Sequence, residues 1–215
     1  MPSTHPEFPN LRIFDHPLVQ DKLTRARDVD TTPAEFRRLL NEIAGLMTYE
    51  ASRDFPLADC QVQTPIETMN GQVLSQPITL VPILRAGLGM TDGILRMLPE
   101  ARVGHLGCYR DESTFETVDY YMKMPPDVSD GPVLIVDPML ATGGSADYAI
   151  DRLKQLGCDN IRFICLVSAP DGVGRLLKSH PDVIVYTASL DDRLTDRKYI
   201  APGLGDAGDR IFGTI

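Results

Sequence analysis

The 215-residue chain carries 21 Lys and Arg against 30 Asp and Glu, a net charge of −9. That length suits one α/β domain, residues 1–215, with a sizeable core, and the acidic balance lacks the basic footprint that non-specific nucleic-acid binding requires. No apolar stretch is long enough to span a bilayer, and the N-terminus lacks the charged and apolar regions of a signal peptide.

Cys60, Cys108, Cys158 and Cys165 show neither paired nor framework spacing, so free thiols in a reducing cytoplasm are expected. His5, His16, His105 and His180 are scattered without metal-ligand spacing, so no metal held directly by the protein is expected.

Residues 1–14 are proline-rich and read as extended. His16 to Arg27 predicts a short amphipathic helix with Leu18, Val19, Leu23 and Ala26 on one side. Thr32-Pro33-Ala34-Glu35 is a helix start: Thr32 caps, Pro33 suits the first turn and Glu35 stands where a capping-box acid belongs. Phe36, Leu39, Leu40, Ile43, Leu46 and Met47 follow at helical spacing as core. Residues 60–76 alternate weakly and contain Asn70-Gly71, which predicts an antiparallel hairpin arm turning at that pair. Edge hairpins of this kind often add to a partner subunit, so a homo-oligomer, dimer or higher, is expected.

A buried strand is predicted over 78–84, a helix to about Leu98 and a third strand over 103–109. Residues 110–131 are polar and aromatic and read as a flexible flap containing a short strand. Val133 to Val136 is a β-branched apolar run between Gly131-Pro132 and Asp137-Pro138, a buried strand. A loop of small residues, 141–145, and a helix over about 146–156 follow. Further strands are predicted over 161–168 and 183–187, with a helix over 172–179 between them. Strands alternating with helices imply a parallel sheet flanked by helices. Residues 188–215 show no clear periodicity.

Ligands on such sheets sit at the carboxyl ends of strands. Arg85, Asp137 and the 141–145 loop all follow predicted strand ends. The loop precedes a helix, where free backbone N–H groups and the helix dipole favour an anion. Gly143 and Gly144 remove side chains that would hold a phosphate off the backbone, and Thr142 and Ser145 add hydroxyl donors. Asp137 can accept from vicinal sugar hydroxyls, so a 5-phosphoribosyl group matches both features. An isolated Gly-Gly-Ser would read more simply as a turn, and a lone Arg85 as a solvated surface residue. Among small residues at a strand end, Arg85 also reads as a planar donor fork for pyrophosphate. Gly203-x-Gly205-x-x-Gly208 matches the dinucleotide fingerprint as a string but fails on context, and no P-loop lysine follows Gly143-Gly144.

The string Asp137-Pro138-Met139-Leu140-Ala141-Thr142-Gly143-Gly144-Ser145 resembles the 5-phosphoribosyl-1-pyrophosphate (PRPP) loop of type I phosphoribosyltransferases, in the form of the uracil branch. Most relatives place a second acid after the first; here Pro138 stands there. The tail from Tyr199 through Pro202-Gly203-Leu204-Gly205-Asp206-Ala207-Gly208 resembles that family's uracil-binding hood, residues 188–215. The resemblance covers nearly the whole chain from His16. It implies a type I phosphoribosyltransferase-like fold with a hairpin arm and a C-terminal hood, and conversion of uracil and PRPP to UMP and diphosphate in pyrimidine salvage.

The resemblance further implies that Arg85, Arg110, Asp137 to Ser145 and Asp206 bind PRPP. In the hood, the Ile200 carbonyl would accept from uracil N3–H, Gly205 and Ala207 N–H groups would donate to O4, Asp206 would lie beside the base, and Tyr199 would crowd carbon 5. Arg85, Arg110 and Asp206 carry the catalytic expectation; Asp206 is the nearest candidate for a general base, with holding PRPP or its metal as its other role. Alone, Arg110 reads as a loop ion-pair residue beside Asp111 and Glu112. Mg²⁺ is the implied cofactor, carried by PRPP. GTP activates some members and is a candidate effector. Arg197-Lys198 replaces the His-Gly common before the hood. A PRPP-sensing regulator on the same fold is the alternative reading.

Overall fold

The computed structural model describes residues 2–110 and 117–214; the side chains of Arg110 and Thr117 and the predicted flap segment 111–116 lie outside the described residues. The elements in chain order are β1 (Ser3–Thr4), β2 (Leu11–Ile13), α1 (Pro17–Arg27), α2 (Pro33–Ala51), β3 (Leu57–Gln63), β4 (Thr68–Leu74), β5 (Thr79–Leu84), α3 (Leu88–Met97), β6 (Arg102–Val103), β7 (His105–Arg110) and β8 (Thr117–Lys123). They continue as β9 (Val133–Val136), β10 (Met139–Leu140), α4 (Gly144–Gln155), β11 (Ile161–Ser168), α5 (Pro170–Ser179), β12 (Ile184–Leu190), β13 (Arg193–Leu194), β14 (Ile200–Ala201) and α6 (Ala207–Phe212).

Among the described residues the main sheet runs β1-β2-β12-β11-β9-β5-β7-β8, with β10 joined to β11 and β6 to β5. Pairings from β2 through β7 are parallel, and antiparallel strands close both edges. The central strands are apolar on both faces, as burial under helices on each side demands. Side-chain alternation divides them: Val133, Ile135 and Phe163 pack with Ile150, Leu153 and Leu176 from α4 and α5. Leu134, Val136 and Ile164 face the other way, with Phe36, Leu40, Ile43 and Met47 of α2 and Met90 and Ile94 of α3. Phe36, Leu40, Ile43 and Met47 are fully buried, each stabilising the fold by roughly 1.5–3 kcal/mol relative to exposure. Thr32 caps α2 by accepting from the Glu35 N–H at 3.3 Å.

Several expectations are corrected. The hairpin arm spans 57–74, and Asn70-Gly71 lies inside β4, opposite Gln61 and Cys60. The turn is Thr64–Glu67: the Thr64 hydroxyl accepts from the Ile66 and Glu67 N–H groups at 3.1 and 3.0 Å, and Pro65 fixes the bend. A side-chain-supported turn next to proline therefore wins over the Asn-Gly pair. Leu18 is 53% exposed although Val19, Leu23 and Ala26 are buried, because the apolar stripe of α1 is only one residue wide at its start. Leu46 packs against the core only in part. Residues 11–13 are not merely extended; they add a parallel strand between β12 and the edge strand β1. α4 starts at Gly144 and α5 at Pro170, each two residues before its expected start, and the aperiodic tail holds β13, β14 and α6. No described helix is long and apolar enough to cross a membrane.

Candidate functional site

β5, β7, β9 and β10 end on one side of the sheet, and a cleft opens there. It is lined by Arg85, Ala86, Cys108, Asp137, Met139, Ser145, Asp206 and Gly208, with Ile83 and Leu84 at its base. The structure thus brings Arg85, Asp137, Ser145 and Asp206 together from segments far apart in sequence.

Asp137 closes β9, and its carboxylate accepts from the Met139 N–H at 3.4 Å. Burial pushes its carboxyl up to about 7; the Met139 contact opposes this and the charge of Asp206 adds to it. Within the predicted loop string, Pro138 and Leu140 are buried and stitched to β11 and the residue before α5 rather than open to the cleft. The Pro138 carbonyl accepts from the Leu166 and Val167 N–H groups at 3.0 and 3.1 Å, and the Leu140 carbonyl from Ala169 at 3.0 Å. Met139 lines the cleft.

Ala141 to Ser145 wrap into the start of α4. Gly143, at φ +78°, precedes the helix and supplies no side-chain cap, so the first-turn N–H groups are left for a ligand. A Cβ on Gly143 would stand 2.9 Å from the Gly172 carbonyl, and one on Gly172 would stand 2.4 Å from the Ala141 carbonyl. The loop and the start of α5 therefore touch backbone to backbone.

Arg85 follows a cis Leu84–Arg85 peptide. Its guanidinium reaches Asp209 at 3.2 Å and stacks 5.6 Å from the Phe212 ring centroid, so it ties the strand end to the hood while remaining half-exposed. Arg110 ends β7, where it pairs with Thr117. Cys108, on the same strand, borders the cleft, and burial raises its thiol above the usual range while an interaction with the Ser145 hydroxyl opposes the rise.

In the hood, β13 and β14 pair antiparallel. The Tyr199 carbonyl accepts from Thr195 at 2.8 Å and the Ala201 carbonyl from Asp192 at 3.1 Å. Carbonyl direction alternates along a strand, so the Ile200 carbonyl between them points to the opposite edge. Ile200 is buried and Tyr199 is 45% exposed. Gly203 and Gly205 take φ of +64° and +78°, and a Cβ on Gly203 would lie 2.0 Å from the Ile200 carbonyl. Asp206 caps α6, accepting from the Asp209 N–H at 3.0 Å, and Ala207 begins the helix.

Sequence reasoning missed what holds the hood down. Asp191, 4% exposed, receives both guanidinium arms of Arg27 at 2.7 and 2.6 Å, the Gly203 N–H at 2.8 Å and the Ser189 hydroxyl at 2.7 Å. Arg27 also donates to the Gly203 carbonyl at 2.6 Å. Arg210 reaches the carbonyls of Ala26, Leu204 and Asp28 at 2.6–2.7 Å and lies 4.2 Å from the Phe36 ring centroid. No local pattern announces pairs so far apart in sequence. Cys108 and Gly208 also border the cleft; Gly208 lies in the hood string, whereas nothing local in the sequence marks Cys108.

The Arg197-Lys198 departure falls at a strained point. Among the described residues Lys198 is the one non-glycine with positive φ, +66°. It closes the turn by donating its N–H to the Thr195 carbonyl at 2.8 Å. Left-handed backbone costs an L-residue roughly 1–2 kcal/mol, and glycine returns roughly 0.5–1 kcal/mol of that as chain entropy. Lys198→Gly is therefore expected to stabilise the protein by about 0.5–1 kcal/mol in urea denaturation; an unchanged or lower midpoint would contradict it.

Residues 13–214 match the family model described as uracil phosphoribosyltransferase. A protein of that name from Streptococcus equi subsp. zooepidemicus is 55% identical over 204 residues, covering 94% of this chain and 98% of the relative. Another of that name from Bacillus pumilus is 54% identical over 203 residues, covering 94% and 97%. Among solved structures, the AQ2163 protein of Aquifex aeolicus is similar at a TM-score of 0.90 and 36% identity, over 94% of this chain and 97% of that one. An adenine phosphoribosyltransferase from Trypanosoma brucei shares the fold at a TM-score of 0.59 and 12% identity, over 91% and 90%. The chain, a mostly parallel sheet flanked by helices with antiparallel hairpins, belongs to the uracil phosphoribosyltransferase family.

Proposed function

We propose that the chain is a pentosyltransferase that converts uracil and PRPP to UMP and diphosphate. The observation that carries this is the meeting, at one strand-end cleft, of a phosphate loop, a sugar-facing carboxylate and a base hood: Ser145, Asp137 and Asp206 border the same space as Arg85.

The 5-phosphate sits against the N–H groups of Thr142 to Ser145, and Asp137 accepts from the ribose hydroxyls. Arg85 and Arg110 neutralise the departing pyrophosphate as the anomeric carbon takes on oxocarbenium character. Uracil N3–H meets the Ile200 carbonyl, O4 meets the Gly205 and Ala207 N–H groups, and Tyr199 stands beside carbon 5. N1 is thereby aimed at the anomeric carbon, so positioning supplies much of the catalysis.

Asp206 faces the sugar and pyrophosphate end. Mg²⁺ fits this arrangement as a passenger of PRPP, with Asp137 and Asp206 as the carboxylates that border the cleft. When bound, Mg²⁺ supplies further charge neutralisation at the pyrophosphate. A homo-oligomer and a GTP effector complete the proposal; the projecting 57–74 arm, with Val62, Ile66, Met69 and Val73 exposed, offers the apolar surface for the first.

The test is UMP formation from uracil, PRPP and Mg²⁺, with hypoxanthine as competitor and with or without GTP. Rapid turnover of uracil alone is expected. PRPP binding without turnover would instead favour a PRPP-sensing regulator, and no response to GTP would remove the effector.

A further inference from the structure

Behind the phosphate loop stands a charged network that the proposed reaction does not use. Asp147 lies in the first turn of α4, its N–H donating to the Gly143 carbonyl at 2.8 Å. Its carboxylate is largely buried, with 16% of the side chain exposed. Arg175 of α5 reaches one oxygen at 3.0 Å, and His180, just past the end of α5 and 4% exposed, places Nε2 3.2 Å from the other. The stem of Arg175 runs close to the loop: a Cβ on Gly143 would stand 3.6 Å from its Cδ.

A helix start built to receive a phosphate dianion favours negative charge from the ligand, but a carboxylate one turn behind, about 5.4 Å along the axis, opposes the same ligand. A largely buried charge is weakly screened, so the opposition survives at physiological salt. Arg175 cancels it in the resting protein. We propose that the Asp147–Arg175 pair, backed by His180, sets the affinity of the loop for the 5-phosphate of PRPP, with Asp147 as a brake and Arg175 as its release. This makes both affinity-tuning residues that act through the loop, and it rests on the reading of 141–145 as the phosphate site.

The sign distinguishes this from a structural role. Arg175→Gln leaves an unbalanced carboxylate and is expected to weaken ribose 5-phosphate binding roughly three- to tenfold. Asp147→Asn leaves a surplus cation beside the loop and is expected to tighten it by a similar factor. The double variant should return to within about twofold of the parent, as should Arg175→Lys, which keeps the charge.

The experiment is calorimetric titration of the full-length protein and these variants with ribose 5-phosphate and, separately, with pyrophosphate, at low and high salt. Pyrophosphate addresses the Arg85 end, so its affinity should stay constant, and the opposed shifts should persist at physiological salt and diminish only at high salt. Equal weakening in both single variants, a change in pyrophosphate affinity as large as that for ribose 5-phosphate, or no change in either single variant overturns the inference. Failure of the parent protein itself to bind ribose 5-phosphate would overturn the phosphate-loop reading first.

Discussion

Replacing Asp191 with alanine is expected to release the base hood, with the largest loss of stability among single substitutions near the site. Four donors converge on this buried carboxylate, two of them from Arg27. Burial alone would raise its pKa, but the bonds from Arg27, Ser189 and Gly203 outweigh it and hold the carboxyl below the ordinary range. Removing one member of a buried pair costs about 3–5 kcal/mol, because the other charge is left without a partner. That is a large share of the roughly 5–15 kcal/mol of a folded domain.

The hood should then fray before the sheet does. Uracil kcat/KM is expected to fall by about two orders of magnitude, since a base site held by backbone groups tolerates little displacement. Ribose 5-phosphate binding, anchored on 137–145, should change less. Urea denaturation with steady-state kinetics in both substrates checks this; a variant with the parent's urea midpoint and uracil KM would refute it. Because the Asp191 pKa is depressed, its contribution is present above the ordinary carboxylate range and is lost as pH falls below it. The parent and Asp191→Ala should therefore converge in stability only in strong acid.

The contrast between Asp137 and Asp191 shows which parts of the site can be read from sequence. Asp137 sits between a β-branched run and a glycine loop, so strand, turn and helix start are all written within thirteen residues, 133–145. Thr32-Pro33 likewise writes its own helix start. Asp191 pairs with Arg27 across 164 positions, and Arg210 holds Ala26 across 184. Neither pair has a local period or turn to betray it. The N-terminal strand is similar: β2 is only three residues long, and its place in the sheet is set by pairing with β12. At the hairpin, two turn signals lie six residues apart, Thr64-Pro65 and Asn70-Gly71. The turn held by the Thr64 hydroxyl prevails, and the register it sets carries Asn70-Gly71 into β4 opposite Gln61 and Cys60. Local chemistry is therefore legible, whereas ties between distant segments emerge only in the fold.

Asp137 should show in the pH dependence of the reaction. Its carboxyl is pushed to about 7 in the free protein, above an unfolded value of about 3.9. The sign follows from proton counting. Between those values the folded state holds a proton that the unfolded state has released, so stability falls as pH rises through that window. The full difference corresponds to roughly 4 kcal/mol as an order of magnitude. Asp137→Asn removes this slope, and the variant should gain stability over the parent as pH climbs from 4 to 7.

Binding carries the opposite demand. A carboxylate accepts from two ribose hydroxyls, whereas the protonated acid must turn one oxygen into a donor. kcat/KM for PRPP should therefore rise with pH up to about 7 and then level off, apart from any limb that belongs to the substrate phosphate, whose second ionisation lies near 6. Asp137→Asn separates the two: the phosphate limb stays and the enzyme limb disappears, at a cost of roughly two orders of magnitude in kcat/KM at pH 8 if both ribose hydroxyls lose an ionised acceptor. A variant that keeps the parent's full profile and its PRPP affinity would remove Asp137 from the ribose site. The same residue would then be reduced to a partly buried acid whose raised pKa costs the fold stability without return.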